Sequence, residues 1–301
     1  MHLTQKAISE RMPDIGVVIE MLDARLPGSS ANPMLAELTA GKPTLKILNK
    51  QDLADPICTN LWLNYYNAQT GVRAIGLDSS TTGPARALIA ECRALAPNKV
   101  GPGKRLRVLI CGIPNVGKST LINTLAGKRA TKTGDEPGIT KLEQRIELAD
   151  DFFLFDTPGM LWPRIIVARS GYNLAASGGI GRNAFDEQEV ALELLDYLIA
   201  HYPASLQERY QVEISEGSES DEVLAAIGRR RGAVQSGGRI NFQKAAEIVL
   251  YDFRQAQLGR ISLETPEQYA EWLAAGQLVD AERALKKAAR LTTKTKISAK
   301  K

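Results

Sequence analysis

The sequence predicts an α/β fold, a doubly wound and mostly parallel sheet followed by a C-terminal all-helical domain, and three observations predict it. Short apolar runs alternate with helical patterns between residues 15 and 155. A glycine-rich loop, Gly112-Ile-Pro-Asn-Val-Gly-Lys-Ser119, sits between one of those runs and a helix. From about Gly181 the strand-like runs stop, and Glu189 to Ile199 and Ala245 to Ala256 show apolar spacings of three and four.

Residues 4–12 read as a short helix, and Ile15 to Leu22 as a buried parallel strand, being apolar almost throughout. Asn32-Pro33 offers a cap with proline at the first helical position, so a helix should run to about Ala40 and stop at Gly41. Strands follow at Thr44 to Leu48 and Val72 to Leu77, with helices at about Thr59 to Gln69 and Pro84 to Ala96. Pro97 to Lys104 is a linker, because its glycines and prolines prevent regular structure. Beyond it come a strand at Leu106 to Cys111, a helix through Leu125, and strands at Leu142 to Leu148 and Phe152 to Phe155. Glu213 to Glu222 reads as an acidic, serine-rich loop. The expected divisions are 1–180 for the sheet domain, 181–280 for the helical domain and 281–301 for a basic tail.

Hydrophobic residues make up 44% and charged residues 24% of the 301 positions, the balance of a soluble globular chain. No apolar run reaches the length of a transmembrane helix and Met-His-Leu-Thr-Gln-Lys is no secretory signal, so a cytoplasmic protein without membrane contact is expected, as a monomer. Cys58, Cys92 and Cys111 are odd in number and widely spaced, which favours neither disulfides nor a zinc site. The net charge of +4 is uneven: seven Lys and Arg residues from Lys286 to Lys301 face a lone neighbouring acid, Glu282. Such a tail either solubilises a frayed terminus or meets phosphate.

The glycine-rich loop carries the sharpest chemistry. Glycines let the backbone curl until successive amides at Asn115, Val116, Gly117, Lys118, Ser119 and Thr120 point at phosphate oxygens, and the following helix adds its positive end. Lys118 should reach the terminal phosphates and the Ser119 hydroxyl should ligate Mg2+. A chance match to this pattern is on the order of one in a hundred for a chain of this length. The base is read elsewhere. Asn49-Lys50-Gln51-Asp52 follows a strand, and a carboxylate there can accept two hydrogen bonds from guanine, a donor pair that adenine lacks. Asp78-Ser79, after the next strand, falls where backbone would brace the guanine oxygen. Asp156, opening Asp-Thr-Pro-Gly159, is placed to hold Mg2+ through a water, and the Gly159 amide to meet the terminal phosphate. Thr140, in Pro-Gly-Ile-Thr, could complete the metal shell only when that phosphate is present.

These motifs occur as Asn-Lys-x-Asp, then the phosphate loop, then Pro-Gly-Ile-Thr, then Asp-Thr-Pro-Gly, which is the order of the circularly permuted P-loop GTPases. The chain resembles the YlqF/RbgA family of bacterial ribosome-assembly GTPases and their mitochondrial relatives. Asp23-Ala-Arg-Leu-Pro27, Leu161-Trp162-Pro163, Asp252-Phe253-Arg254 and Leu258-Gly259-Arg260 extend the likeness over most of the chain. The resemblance implies GTP hydrolysis to GDP in late maturation of the large ribosomal subunit, with that subunit and its rRNA as partners. A GTP-dependent switch acting outside the ribosome is the alternative reading, and an inactive nucleotide-binding scaffold a third. Ras-like enzymes place a water-orienting glutamine where this chain has Met160, and a thioether cannot do that work. The family is similar in this and uses a histidine in an N-terminal Pro-Gly-His segment. Here the chain begins Met1-His2, so either that histidine lies upstream or His2 stands in for it. Asn115 resembles the asparagine of K+-stimulated GTPases, which implies a K+ ion beside the phosphates, although a loop-shaping role explains it equally well. Arg229, Arg230, Arg231, Arg239, Arg254 and Arg260 offer charge for rRNA phosphates.

Overall fold

The computed structural model describes residues 2–127, 144–215 and 217–298. Six strands form one sheet: β1 (Val17–Asp23), β2 (Thr44–Asn49), β3 (Val72–Leu77), β4 (Leu106–Gly112), β5 (Gln144–Ala149) and β6 (Phe152–Asp156). Their spatial order is β3-β2-β1-β4-β6-β5, parallel throughout except for β5, which runs antiparallel to β6. The chain winds outward from β1 to β3, returns to the centre for β4, and then fills the other edge. That reversal opens a crevice above the C-terminal ends of β1 and β4, where open α/β sheets take their ligands.

Helices cover both faces because successive side chains on a strand point opposite ways. Val17, Ile19 and Met21 join Val108, Ile110 and Leu154 in one core, closed by Leu88 of α5 (Thr82–Leu95) and Leu121 of α6 (Lys118–Ala126). The alternate residues Val18, Leu109, Phe153 and Phe155 meet Ile8 of α1 (His2–Arg11) and Leu35 of α3 (Pro33–Leu38), which follows the four-residue α2 (Pro27–Ser30). Leu22 and Leu48 meet Trp62 and Tyr66 of α4 (Pro56–Asn67). Asn32 caps α3 by accepting from Met34 N, as expected, whereas α4 begins earlier than its apolar spacing suggests. The Asp55 side chain accepts from the Ile57 and Cys58 amides, and Pro56 occupies the first helical position, so capping outweighs periodicity at this boundary.

The remaining helices are α7 (Ala168–Ser177), α8 (Glu187–His201), α9 (Pro203–Tyr210), α10 (Ser220–Arg230), α11 (Phe242–Arg254) and α12 (Pro266–Ser298). α8, α10 and α11 bury Leu194, Leu198, Val223, Ile227, Val249 and Phe253 together. α7 belongs to both cores, giving Leu174 to the sheet and Ala175 and Ala176 to the helices. The acidic loop is shorter than expected: Ser220, Asp221 and Glu222 form the first turn of α10, where carboxylates complement the helix dipole. α12 runs on to Ser298, through most of the segment read as a tail. Its first turns return to the sheet domain. Tyr269 meets Trp62 with ring centroids 6.0 Å apart, and a Cβ at Gly28 would lie 2.5 Å from the Tyr269 ring. Among the described residues no helix is long and apolar enough to cross a membrane.

A buried carboxylate pins this return. Glu264 accepts from Ser29 N at 2.7 Å, from the Ser29 hydroxyl, and from Asn173 Nδ2 at 3.2 Å. Trp62 Nε1 donates to the Glu264 carbonyl at 3.0 Å. Burial pushes the Glu264 carboxyl up to about 7, against the lowering effect of the Ser29 and Asn173 bonds. Between its ordinary value of 4.5 and about 7 the folded state therefore keeps a proton that the unfolded chain has lost. This contribution to stability falls as pH rises through that window. Chemical denaturation from about pH 5 to about pH 7.5 should show a loss on the order of 3 kcal/mol that Glu264→Gln removes; an unchanged slope in the variant would refute the assignment.

Candidate functional site

The phosphate loop follows β4 and is shaped by close approaches. Gly112 has φ +150°, and a Cβ there would lie 2.6 Å from Met21 O. Asn115 and Gly117 take left-handed conformations, at φ 59° and 100°. A Cβ at Gly117 would meet Asn49 Nδ2 at 2.3 Å, so glycine is required there by both backbone and space. Lys118 opens α6 with its side chain buried, and its ammonium folds back over the loop to donate to Gly112 O (3.1 Å) and Ile113 O (2.8 Å). Burial lowers its pKa to about 8, while Asp156 pulls in the other direction. At Gly159 a Cβ would come 2.9 Å from Pro114 Cα and 3.1 Å from Lys118 Nζ. Gly159 thus packs closely against the loop beside the Lys118 ammonium.

Asn49 joins this loop to the others. It ends β2, and its side-chain amide donates to Val116 O (2.7 Å) and accepts from Ser79 N (2.9 Å). Ser79 O in turn accepts from Thr124 Oγ1 of α6 at 2.8 Å. Lys50 has φ 61° and donates to Asp23 Oδ2 at 3.1 Å. Gln51 lies over Gly76, where a Cβ would meet its Oε1 at 2.2 Å. Asp52 is exposed on the same loop. Asp78 Oδ1 accepts from the amide (2.9 Å) and hydroxyl (2.7 Å) of Ser80. Asn49-Lys-Gln-Asp52 and the glycine-rich loop, more than sixty residues apart in sequence, therefore share one hydrogen-bonded frame.

Asp156 closes β6 beside Ile110, deeply buried. Thr157 steadies the exit by donating from its amide (3.3 Å) and hydroxyl (3.0 Å) to Ile110 O. Ser119 and Thr120 lie half-buried in the first turn of α6. Met160 is buried, donates its amide to Gly112 O at 3.2 Å, and accepts at its carbonyl from Asn32 Nδ2 at 2.9 Å. Its thioether belongs to the core that α1 enters with Ile8, and that Met12 joins just after the helix. Thr140 lies outside the described residues. So does the side chain of His2, which opens α1.

Asp23 and Arg25 entered the sequence reading only as part of the family likeness, with no role assigned. Asp23 accepts from Arg25 Nε (2.9 Å) and Nη2 (2.7 Å) as well as from Lys50. Burial alone would raise its pKa, but Arg25 and Lys50 hold the carboxyl well below the usual carboxylate range. The signal was its place at the end of a central strand, next to the switch in strand order. The carbonyls at the end of α7 take donors from three directions: Arg254 at Ala175 and Ala176 (2.9 and 2.8 Å), Arg25 at Ser177 (3.4 Å) and Asn115 at Gly178 (2.9 Å). Arg254 and Arg260, both read as charge for RNA phosphates, spend guanidinium donors within the chain. The first caps α7, and the second donates to Gln51 O and Ala54 O. Arg231 lies over the Tyr210 ring and donates to Arg209 O, while Arg229, Arg230 and Arg239 are exposed.

A family model described as 50S ribosome-binding GTPase matches residues 107–226. The chain is 41% identical over 279 residues to Ribosome biogenesis GTPase A of Bacillus cereus, covering 90% of this chain and 93% of that one. It is 30% identical over 289 residues to Mitochondrial ribosome-associated GTPase 1 of Xenopus tropicalis, covering 86% and 90%. Among solved structures, GNP-bound YlqF from T. maritima superposes with a TM-score of 0.60 at 26% identity, over 88% of this chain and 98% of that one. The GDP-bound form of TM YlqF gives 0.62 at 25% identity, over 87% and 99%. Permuted motifs gathered by Asn49 into one crevice, and this likeness along nearly the whole length, place the chain in the ribosome biogenesis GTPase A (YlqF/RbgA) family.

Proposed function

We propose that the chain binds GTP across the crevice between β1 and β4 and hydrolyses it to GDP and phosphate to drive late assembly of the large ribosomal subunit. The observation that carries this reading is the Asn49 bridge to Val116 and Ser79, which holds the guanine-reading loop against the phosphate loop. Amides from Asn115 to Thr120 and the Lys118 ammonium would hold the phosphates, and Asp52 would accept from guanine, with Asp78 and Ser79 bracing its oxygen. Ser119 and Asp156, with Thr140 from the switch loop, would hold Mg2+, which supplies charge neutralisation at the phosphates. Asn115 Oδ1 is the atom suited to K+, and the Nδ2 bond to Gly178 O orients it.

Gly159 would donate its amide to the terminal phosphate, while Met160 beside it orients no water. Either a histidine upstream of Met1 or His2 would do so, the latter at the start of a helix whose Ile8 shares the Met160 core. Residues 1–180 form the nucleotide domain in this reading, 181–280 the rRNA-facing helical domain and 281–301 its basic extension. The protein acts as a cytoplasmic monomer, and Arg229, Arg230 and Arg239 with the terminal lysines meet rRNA phosphates. The chain leaves the second switch directly into α7, so GTP and GDP states set different orientations of the helical domain and different affinities for the subunit.

Lys118→Ala should abolish GDP binding measured by calorimetry, and Gly117→Ala should do so by displacing Asn49 while the protein remains folded by circular dichroism. Unaltered binding in either would refute this phosphate site. Because the unliganded Lys118 ammonium titrates near pH 8, its charge is present below that value and lost above it. The GDP dissociation constant should be level near pH 7 and rise by up to about tenfold per unit above pH 8; a flat profile to about pH 9 would count against a charged Lys118 at the phosphates. GTP hydrolysis should rise on adding purified large subunits, and co-sedimentation with them should be stronger with a non-hydrolysable GTP analogue than with GDP and weaken with salt. Equal, salt-insensitive sedimentation in both states would favour a switch working elsewhere.

A further inference from the structure

Leu258-Gly259-Arg260 takes no part in the nucleotide chemistry described so far, yet the chain is bent to deliver it. After α11, left-handed conformations at Ala256 (φ 52°) and Gly259 (φ 87°) turn the backbone toward the loop between β2 and α4. There the Arg260 guanidinium donates from Nε to Ala54 O at 2.9 Å and from Nη2 to Gln51 O at 2.7 Å. The next residues continue the seam. Ile261 N donates to Leu53 O at 3.1 Å, and Ser262 Oγ accepts from Asp55 N at 3.2 Å.

The loop so held is the one that carries Asp52. Its own backbone bonds are two short turns, Leu53 N to Lys50 O (3.0 Å) and Ala54 N to Gln51 O (3.3 Å), and it begins at a left-handed Lys50. A non-glycine residue in that region persists when its surroundings over-determine it. The planar fork of an arginine suits two carbonyls that flank a turn, since both bonds form in one fixed geometry. Asp52 itself is exposed, and the backbone beneath it sets where its side chain starts.

We propose that Arg260 is a positioning residue for guanine recognition: from the end of the helical domain it clamps the Gln51–Ala54 turn, and so sets where Asp52 presents its carboxylate. The inference rests on the reading of Asp52 as the guanine acceptor. Since coupling is reciprocal, bound guanine nucleotide tightens the docking of the 260–264 strap by the same factor that the strap tightens nucleotide binding. The base pocket thereby reports to the helical domain by a route separate from the switches.

The test uses the full chain with GDP and XDP in calorimetry, and GTP in steady-state hydrolysis. Arg260→Ala should weaken GDP binding and raise KM for GTP by about tenfold, with kcat at saturation unchanged within about a factor of two. Arg260→Lys should fall between the two, because one ammonium reaches one carbonyl. Asp52→Asn should shift preference from GDP to XDP, and adding Arg260→Ala to it should weaken XDP by the same factor as GDP in the parent. Wild-type GDP affinity in folded Arg260→Ala, or a fall in kcat without a rise in KM, overturns the positioning role. Should Arg260→Ala unfold, wild-type GDP affinity in Arg260→Lys overturns it instead. If Asp52→Asn leaves the guanine preference intact, the base assignment fails, whatever the Arg260 variants do.

Discussion

The nucleotide site depends on one buried amide. Asn49 is the last residue of β2, yet its side chain spans to Val116 in the phosphate loop after β4 and to Ser79 in the loop after β3. A buried amide left with either bond unmade would cost on the order of 1–3 kcal/mol, so the three loops are favoured only in mutual register. Gly117 is the price of that register. At its left-handed φ any side chain is strained, and a Cβ 2.3 Å from Asn49 Nδ2 would push that amide out of its bonds. Permutation of the gene order leaves this frame intact because the bonds join strand ends in space, and the sheet does not record which strand was made first.

The same logic governs the junction between the sheet and the helical domain. A helix ends with carbonyls that lack intrahelical partners. Those of α7 are met by Arg254 from α11, by Arg25 from the loop after β1, and by Asn115 from the phosphate loop. Asp23 fixes Arg25 and also receives Lys50, so the loop after β2 reaches the same point through two ion pairs. Asp23 and Arg25 are buried and Lys50 partly so, an arrangement that costs desolvation but admits few geometries. The 260–264 strap and Glu264 close the seam from the other end of the helical domain, against Gln51–Asp55 and Ser29. The nucleotide loops and the helical domain thus share donors and acceptors at several points.

Much of the architecture was legible from local rules. The apolar run before Asp23, the strand Val72–Leu77 and the Asn32-Pro33 cap each follow from period, propensity and capping, which act within a few residues. Where those rules competed, as at α4, the Asp55 cap prevailed over apolar spacing because it satisfies amides that packing cannot reach. The phosphate loop was legible because phosphate binding by backbone demands glycine at fixed positions. The acidic stretch before α10 was misjudged in length, since charge pattern alone does not distinguish a loop from the first turn of a helix that welcomes carboxylates.

Sequence alone determined the family, because the motifs that mark it are short runs with local geometry. It could not assign the arginines. Arg229, Arg254 and Arg260 look alike as charges, and only the tertiary structure leaves the first exposed, sets the second on the end of α7 and ties the third to the turn beneath Asp52. The reason is range. A motif is recognised over a few bonds along the chain, whereas the partner of a guanidinium is whichever carbonyl the folded backbone brings within its reach, here about two hundred residues away in sequence.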